Sequence, residues 1–223
     1  MGIPVLIIGE SGSGKSSSLR NFSEDEIGIF NVAGKPLPFR KKLPKKNNAT
    51  YATIFKSMNK PDRRAYVIDD SQYLLSFELF DRANENGYNK FSDIALHFRG
   101  LLDFIIRQIP DDIIVYFLHH SEESDSGKIK AKTVGKMLDN QLTVEGLFSI
   151  VLLATAEGGQ YRFITQSDGM STAKSPMDMF EREIPNDLRM VDATIREYWS
   201  MKPLRPDEDE AAKIYQNEKE NAE

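Results

Sequence analysis

The residues best suited to chemistry are the run Gly9-Glu10-Ser11-Gly12-Ser13-Gly14-Lys15-Ser16, which matches G-x-x-x-x-G-K-[ST] at every fixed position. Its glycines let the backbone turn sharply and aim successive N–H groups at one point, a geometry that cradles a polyphosphate. In that chemistry Lys15 reaches the β- and γ-phosphates, and the Ser16 hydroxyl sits on Mg2+. With Ser17, the run from Gly9 to Ser16 makes up the expected nucleotide contacts. A second candidate lies about 50 residues on, where the apolar run Tyr66-Val67-Ile68 ends in Asp69-Asp70. A strand-end carboxylate beside such a loop orients the metal, so Asp69 is assigned to Mg2+ with Ser16. Asp70 is placed to polarise an attacking water, or else to cap the next segment or hold a partner side chain.

The elements that must position these groups can be read from apolar periodicity. Val5 to Ile8 is a short β-branched run of the kind found in parallel strands buried on both faces. A helix is expected to open at Ser17–Asn21 and point its positive end at the phosphates. Further strands are expected at Ile27–Val32, Arg64–Asp70 and Asp111–His120, and a hairpin pair at Phe148–Ala156 and Tyr161–Thr165. Helical spacing covers Ser71–Tyr88, a segment capped by Ser92 that runs to Gln108, Thr133–Leu142 and Val191–Met201. Alternating strands and helices predict an α/β fold with a mostly parallel central sheet flanked by helices. With the two motifs it becomes a P-loop NTPase. One core is expected over residues 1–202, followed at 203–223 by an acidic tail too poor in apolar residues to fold.

Composition narrows the chemistry. The 223 residues contain no cysteine and three histidines, which excludes thiolate zinc sites, disulfides and cysteine nucleophiles. The chain begins on a core strand rather than a signal peptide, and no apolar run nears the roughly 20 residues needed to cross a bilayer. A cytoplasmic protein that does not engage a membrane is expected. The net charge of −5 resides in the tail, leaving the first 206 residues neutral. Within that neutral body lie basic clusters. Lys35, Arg40, Lys41, Lys42, Lys45 and Lys46 surround Phe39 in a proline-rich stretch, either a contact that tracks a nucleic-acid backbone or a solvated loop. Lys128, Lys130, Lys132 and Lys136 follow a strand ending in His119-His120, an order that could report phosphate state to a distant ligand.

The stretches GESGSGKS, NVAGKPLPF, YVIDD, GYNKF, TVGKMLDNQLTVEGLFSIVL and TAKSPMDMFEREIPNDL, which cover most of Ile3 to Tyr198, give the chain a layout similar to the RecA-type core. More closely, it resembles the compact phage ATPases of the Sak group, RecA-like proteins linked to single-strand annealing and recombination. The resemblance implies a RecA-like core and an ATP-dependent binder of single-stranded DNA. It also implies a homo-oligomer, ring or filament, with ATP at subunit interfaces, working in a bacterial host cell alongside a single-strand binding protein. By position, Asn84–Phe91 with Lys90 would be a first DNA loop and Glu122–Lys136 a second. His119 or His120 would sense the γ-phosphate, and Lys174 would reach a neighbour's ATP to stabilise transition-state charge.

Two departures bear on that expectation. RecA-type enzymes carry a catalytic glutamate after the second strand, whereas this chain reads Asn31-Val32-Ala33-Gly34. Either Asp70 or Glu10 activates water, or hydrolysis is slow. The chain also begins directly at the core strand, without the segment that joins RecA protomers into filaments. Four readings follow: a DNA-stimulated ATPase, a nucleotide-gated annealing module with negligible turnover, a kinase, and an AAA-type helicase loader. No mobile arginine-rich lid supports the kinase, and no arginine finger with a C-terminal helical lid supports the loader.

Overall fold

In the computed structural model, which describes residues 1–135 and 142–205, the chain forms an α/β fold around a mostly parallel sheet. The sheet order is β3-β2-β4-β5-β1-β7-β8-β9. Strands β1 (Ile3–Gly9), β2 (Ile27–Asn31), β3 (Lys45–Asn47), β4 (Ala65–Asp69), β5 (Ile114–Glu123) and β7 (Ile150–Glu157) pair in parallel. Strands β8 (Gln160–Ile164) and β9 (Glu183–Pro185) extend the β7 edge antiparallel. The turn between β7 and β8 has both Gly158 and Gly159 at positive φ, the two-residue connection that matches strand twist.

Side chains alternate across the central strands, so each strand feeds two cores. Leu6, Ile8, Ile68, Val115 and Phe117 face α1 (Tyr51–Met58), α2 (Gln72–Asp81) and α3 (Asn89–Gln108). Val5, Ile7, Val67, Tyr116 and Leu118 face a short 3-10 turn at Ser16–Asn21 and α4 (Leu188–Tyr198). Because both faces are covered, β1 and β4 read as unbroken apolar runs. The register aligns Gly9 with His120 and Asn31 with Asp69, so the entry to the glycine-rich loop and the carboxylates meet at the carboxyl ends of the strands. That edge is where open parallel sheets bind ligands.

Several element boundaries depart from the sequence reading. The helix expected after the phosphate loop is a six-residue 3-10 turn. Helix α2 stops at Asp81, because Arg82 gathers Glu78, Glu85 and Asp93 and folds the following loop around itself. Helix α3 then starts at Asn89, so Ser92 lies within its first turn instead of capping it. Helix α4 starts earlier than expected, where the Asp187 carboxylate accepts from the N–H groups of Arg189 and Met190. The loop expected after His120 is an ordered ribbon: β5 runs on to Glu123 and pairs antiparallel with β6 (Ile129–Ala131). Most of the helix expected at Thr133–Leu142, and all of the tail beyond Arg205, lie outside the described residues. Among the described residues, no helix is long and apolar enough to cross a membrane.

Candidate functional site

The run after β1 closes into a tight loop. The Ser13 N–H donates to the Glu10 carbonyl, and Gly12 and Gly14 take positive φ. At Gly14 a side chain would be strained and would also strike the Tyr161 ring at 2.6 Å, so the backbone approach demands glycine. Lys15 folds into the loop, its Nζ donating to the carbonyls of Gly9 (2.8 Å) and Glu10 (2.7 Å). Burial lowers its ammonium to about 8, against the pull of Asp70 and Asp69. The Ser13 hydroxyl and the Asn186 side-chain amide nitrogen, which borders Gly14, are buried with no hydrogen-bond partner. Unpaired donors at such a loop fit a polar, oxygen-rich ligand.

The two motifs meet directly. Ser16 Oγ donates to Asp69 Oδ1 at 2.9 Å, joining loop and strand end. Burial, reinforced by the neighbouring Asp70 charge, raises the Asp69 carboxyl above its ordinary range. This oxygen pair fits one side of a Mg2+ shell, with the remaining positions left to ligand and water oxygens. Among the described residues there is no cluster of three or more His, Asp or Glu that would hold a metal without such help.

Asp70 adopts a left-handed backbone (φ 59°), an uncommon conformation for a residue with a side chain. Its carboxylate sits 2.9 Å from Lys35 Nζ and 3.2 Å from His120 Nε2, the latter off the direction of a proper hydrogen bond. Burial alone would push this carboxyl up, but His120 and Lys35 hold it below its ordinary range. Lys35 also lies 5.0 Å from the centre of the Tyr73 ring, whose edge meets His120. The cation expected to belong to a surface cluster is therefore part of this site. Its signal in the sequence is its place immediately after β2, level with Asp69 through Asn31.

His119, one of the two sensor candidates, turns away from Asp70. It is fully buried, its Nε2–H donates to the Lys132 carbonyl (2.8 Å), and its Nδ1 accepts from the Ser71 hydroxyl (2.9 Å). With both nitrogens committed and burial lowering it to about 4, His119 is a neutral pin between β5, α2 and the ribbon. Strand alternation sends His120 the other way, to Asp70. Glu10 is exposed and gives the site its carbonyl rather than its carboxylate. Ser17 and Ser11 lie on the loop's accessible side.

The lysines divide. Ile129 and Ala131 face the core, so Lys128, Lys130 and Lys132 share the opposite side of the ribbon, with Lys130 3.3 Å from Glu122. Lys90 folds back onto the Glu85 carbonyl (2.9 Å). Lys136 lies outside the described residues. In the proline-rich stretch, Lys41 donates to the Phe22 carbonyl and Lys46 to Ser57, so part of that basic run is spent on the fold. Lys174 pairs its backbone with Val151, level with Leu6 and three residues short of Gly9, and is half-buried.

An apolar cavity of about 500 Å³ opens between α1, α2 and α3. Its ionisable lining groups are Glu78, Asp81, His97, Tyr51 and Tyr73, a poor match for phosphate. The crevice at Gly9–Ser16 and Asp69–Asp70 is the better candidate. No protein-family model matches the chain, and neither does any curated protein. The functional reading therefore rests on the site's own geometry.

Proposed function

We propose that the chain is a P-loop NTPase with a RecA-like core that binds ATP with Mg2+ and uses the nucleotide to control a contact with single-stranded DNA. The observation that carries this reading is the Ser16–Asp69 hydrogen bond, which brings a phosphate-loop hydroxyl and a strand-end carboxylate, 53 residues apart, to one point. Lys15 would leave the Gly9 and Glu10 carbonyls for phosphate oxygens, and the loop N–H groups would hold the same oxygens. Ser16 and Asp69 would hold the divalent cation, which when bound neutralises charge on the transferring phosphoryl group. Asp70, next to Asp69 in sequence, would orient the attacking water. The ribbon carrying Lys128, Lys130 and Lys132 is tied to the site through His119, whose neighbour His120 touches Asp70, so a change at Asp70 has a short route to those cations. A homo-oligomer in which Lys174 contacts a neighbour's nucleotide belongs to the same proposal.

The test is ATP hydrolysis with and without single-stranded DNA, in the parent chain and in Lys15→Ala. Stimulated hydrolysis that disappears in Lys15→Ala is expected, and nucleotide binding without stimulation by any DNA would overturn the DNA-coupled part. A second reading, an annealing module that binds ATP with negligible turnover, is favoured by one observation: Asp70 is already engaged by Lys35 and His120. Annealing that proceeds unchanged with a non-hydrolysable analogue would select it.

A further inference from the structure

We propose that Lys35 reads the terminal phosphate, exchanging Asp70 for the γ-phosphate of a bound triphosphate and returning to Asp70 when a diphosphate is bound. The inference rests on the triphosphate reading above and concerns how the same site tells the two nucleotides apart.

The root of Lys35 is clamped. Its carbonyl accepts from the Asn31 side-chain amide (2.6 Å) and from Lys45 Nζ (2.9 Å). Gly34 before it sits at φ 70°, and a side chain there would collide with the Asn48 amide oxygen, so the turn has one geometry. The tip is held far more loosely. The side chain is 56% exposed, and its contacts are Asp70 Oδ2 at 2.9 Å and the face of Tyr73. A fixed root with an exposed, singly paired ammonium defines a short swing about a known point.

The charges give that swing a direction. Lys15 and Lys35 balance Asp69 and Asp70 within one cluster, and Lys35 is close enough to Lys15 to repel its charge. A triphosphate with one divalent cation brings net negative charge, so the cations must change partners to meet it. Lys15 belongs to the loop itself, which leaves Lys35 as the cation of this cluster on the Asp70 side. After the exchange Asp70 still has His120 Nε2 at 3.2 Å, so it is not left without a polar neighbour. A diphosphate lacks the group that would draw Lys35 away.

The experiment measures equilibrium affinities for ATP and ADP with Mg2+, by displacement of a fluorescent ATP analogue from the full chain, in the parent, Lys35→Met and Lys35→Arg. The parent is expected to prefer ATP. Lys35→Met should weaken ATP about tenfold or more, the loss of one charge-assisted hydrogen bond, while leaving ADP unchanged. Lys35→Arg should recover part of the preference, and the thermal midpoint should move little because the side chain is exposed. An unchanged ATP-to-ADP ratio in Lys35→Met, or equal loss of both nucleotides, overturns the role of Lys35 alone. Absence of binding of either nucleotide to the parent overturns this inference together with the triphosphate reading.

Discussion

Two clusters of acid and base sit on the same sheet and are built to opposite standards. Toward the amino ends of β4 and β5, Arg196 pairs with Asp192 and donates to the carbonyls of Arg64, Asp112 and Lys202. Asp192 also accepts from the Tyr116 hydroxyl at 2.9 Å, and the pair is 4% and 0% exposed. At the carboxyl ends, Asp70 holds a left-handed backbone, its partner Lys35 is mostly in solvent, and Ser13 and Asn186 keep buried polar atoms unpaired. The first cluster has its charges paired and its donors spent, and fixes α4 to the sheet. The second keeps unspent donors and a strained residue side by side, a state the surrounding fold must maintain at a cost. A satisfied polar network specifies structure, whereas buried groups left unpaired call for an explanation, which under the proposed function is a bound ligand.

The largest expected effect tests that contrast directly. Arg196→Met should lower the free energy of unfolding by about 3–5 kcal/mol, because it strands Asp192 as a buried charge with only Tyr116 beside it. Asp70→Asn should change stability by no more than about 1 kcal/mol: the lost pair is half in solvent, and asparagine tolerates the left-handed backbone. Under the proposed function it should nonetheless slow hydrolysis about 100-fold or more. Urea denaturation of both variants, with single-turnover hydrolysis for the second, checks the pair. Equal destabilisation would mean that the carboxyl-end cluster is also architecture.

An intermediate effect separates the two adjacent histidines. His119 is neutral in the fold and titrates at about 4, lowered by burial and then by the charges of His120 and Lys15, whereas the unfolded chain takes up its proton near 6.5. Between those values the unfolded state binds more protons, so stability rises with pH through the window and is lost as pH falls from 6.5 towards 4. The loss is roughly 3 kcal/mol by linkage. Asp69 and Asp192, raised by burial, act in the opposite sense. The slope assigned to His119 is therefore the difference between the parent and His119→Gln in unfolding experiments from pH 7 to 4.5. An unchanged slope would show that His119 carries its charge in the fold.

The parallel sheet could be read in advance because β1, β4 and β5 are buried on both faces, so their apolar runs are uninterrupted. The loop and its carboxylate partner were legible because their spacing carries the chemistry. Lys35 was not, since its place just after β2 gains meaning only once β2 is known to pair with β4 and bring it to Asp70, 35 residues on. Which of His119 and His120 turns towards Asp70 could not be read in advance, because it depends on a single step of strand alternation and on where β5 registers against β1. The order in the ribbon was hidden because Glu122, Glu123 and Lys130 read as solvated charge, while Ile129 and Ala131 supply the buried face.

The smallest expected stability effect belongs to that ribbon, whose outward face belongs to neither cluster. Lys128→Ala and Lys132→Ala remove exposed side chains and should leave unfolding within about 0.5 kcal/mol of the parent. If those lysines meet single-stranded DNA, each substitution should also flatten the dependence of log affinity on log salt, by about 0.7 for each lost phosphate contact. Lys130→Ala should flatten it less, because Lys130 shares its charge with Glu122 at 3.3 Å. A salt series for single-strand affinity in the presence of ATP measures all three. The ordering sharpens the comparison between the clusters, because it assigns the sheet three grades of polar contact. Arg196 is spent on the fold, Asp70 and Lys35 are the pair that the proposed function assigns to a ligand, and Lys128 and Lys132 cost the fold nothing to lose. Equal flattening by Lys130→Ala would put Glu122 outside its reach in solution, and no flattening by any of the three would remove the ribbon from the DNA contact.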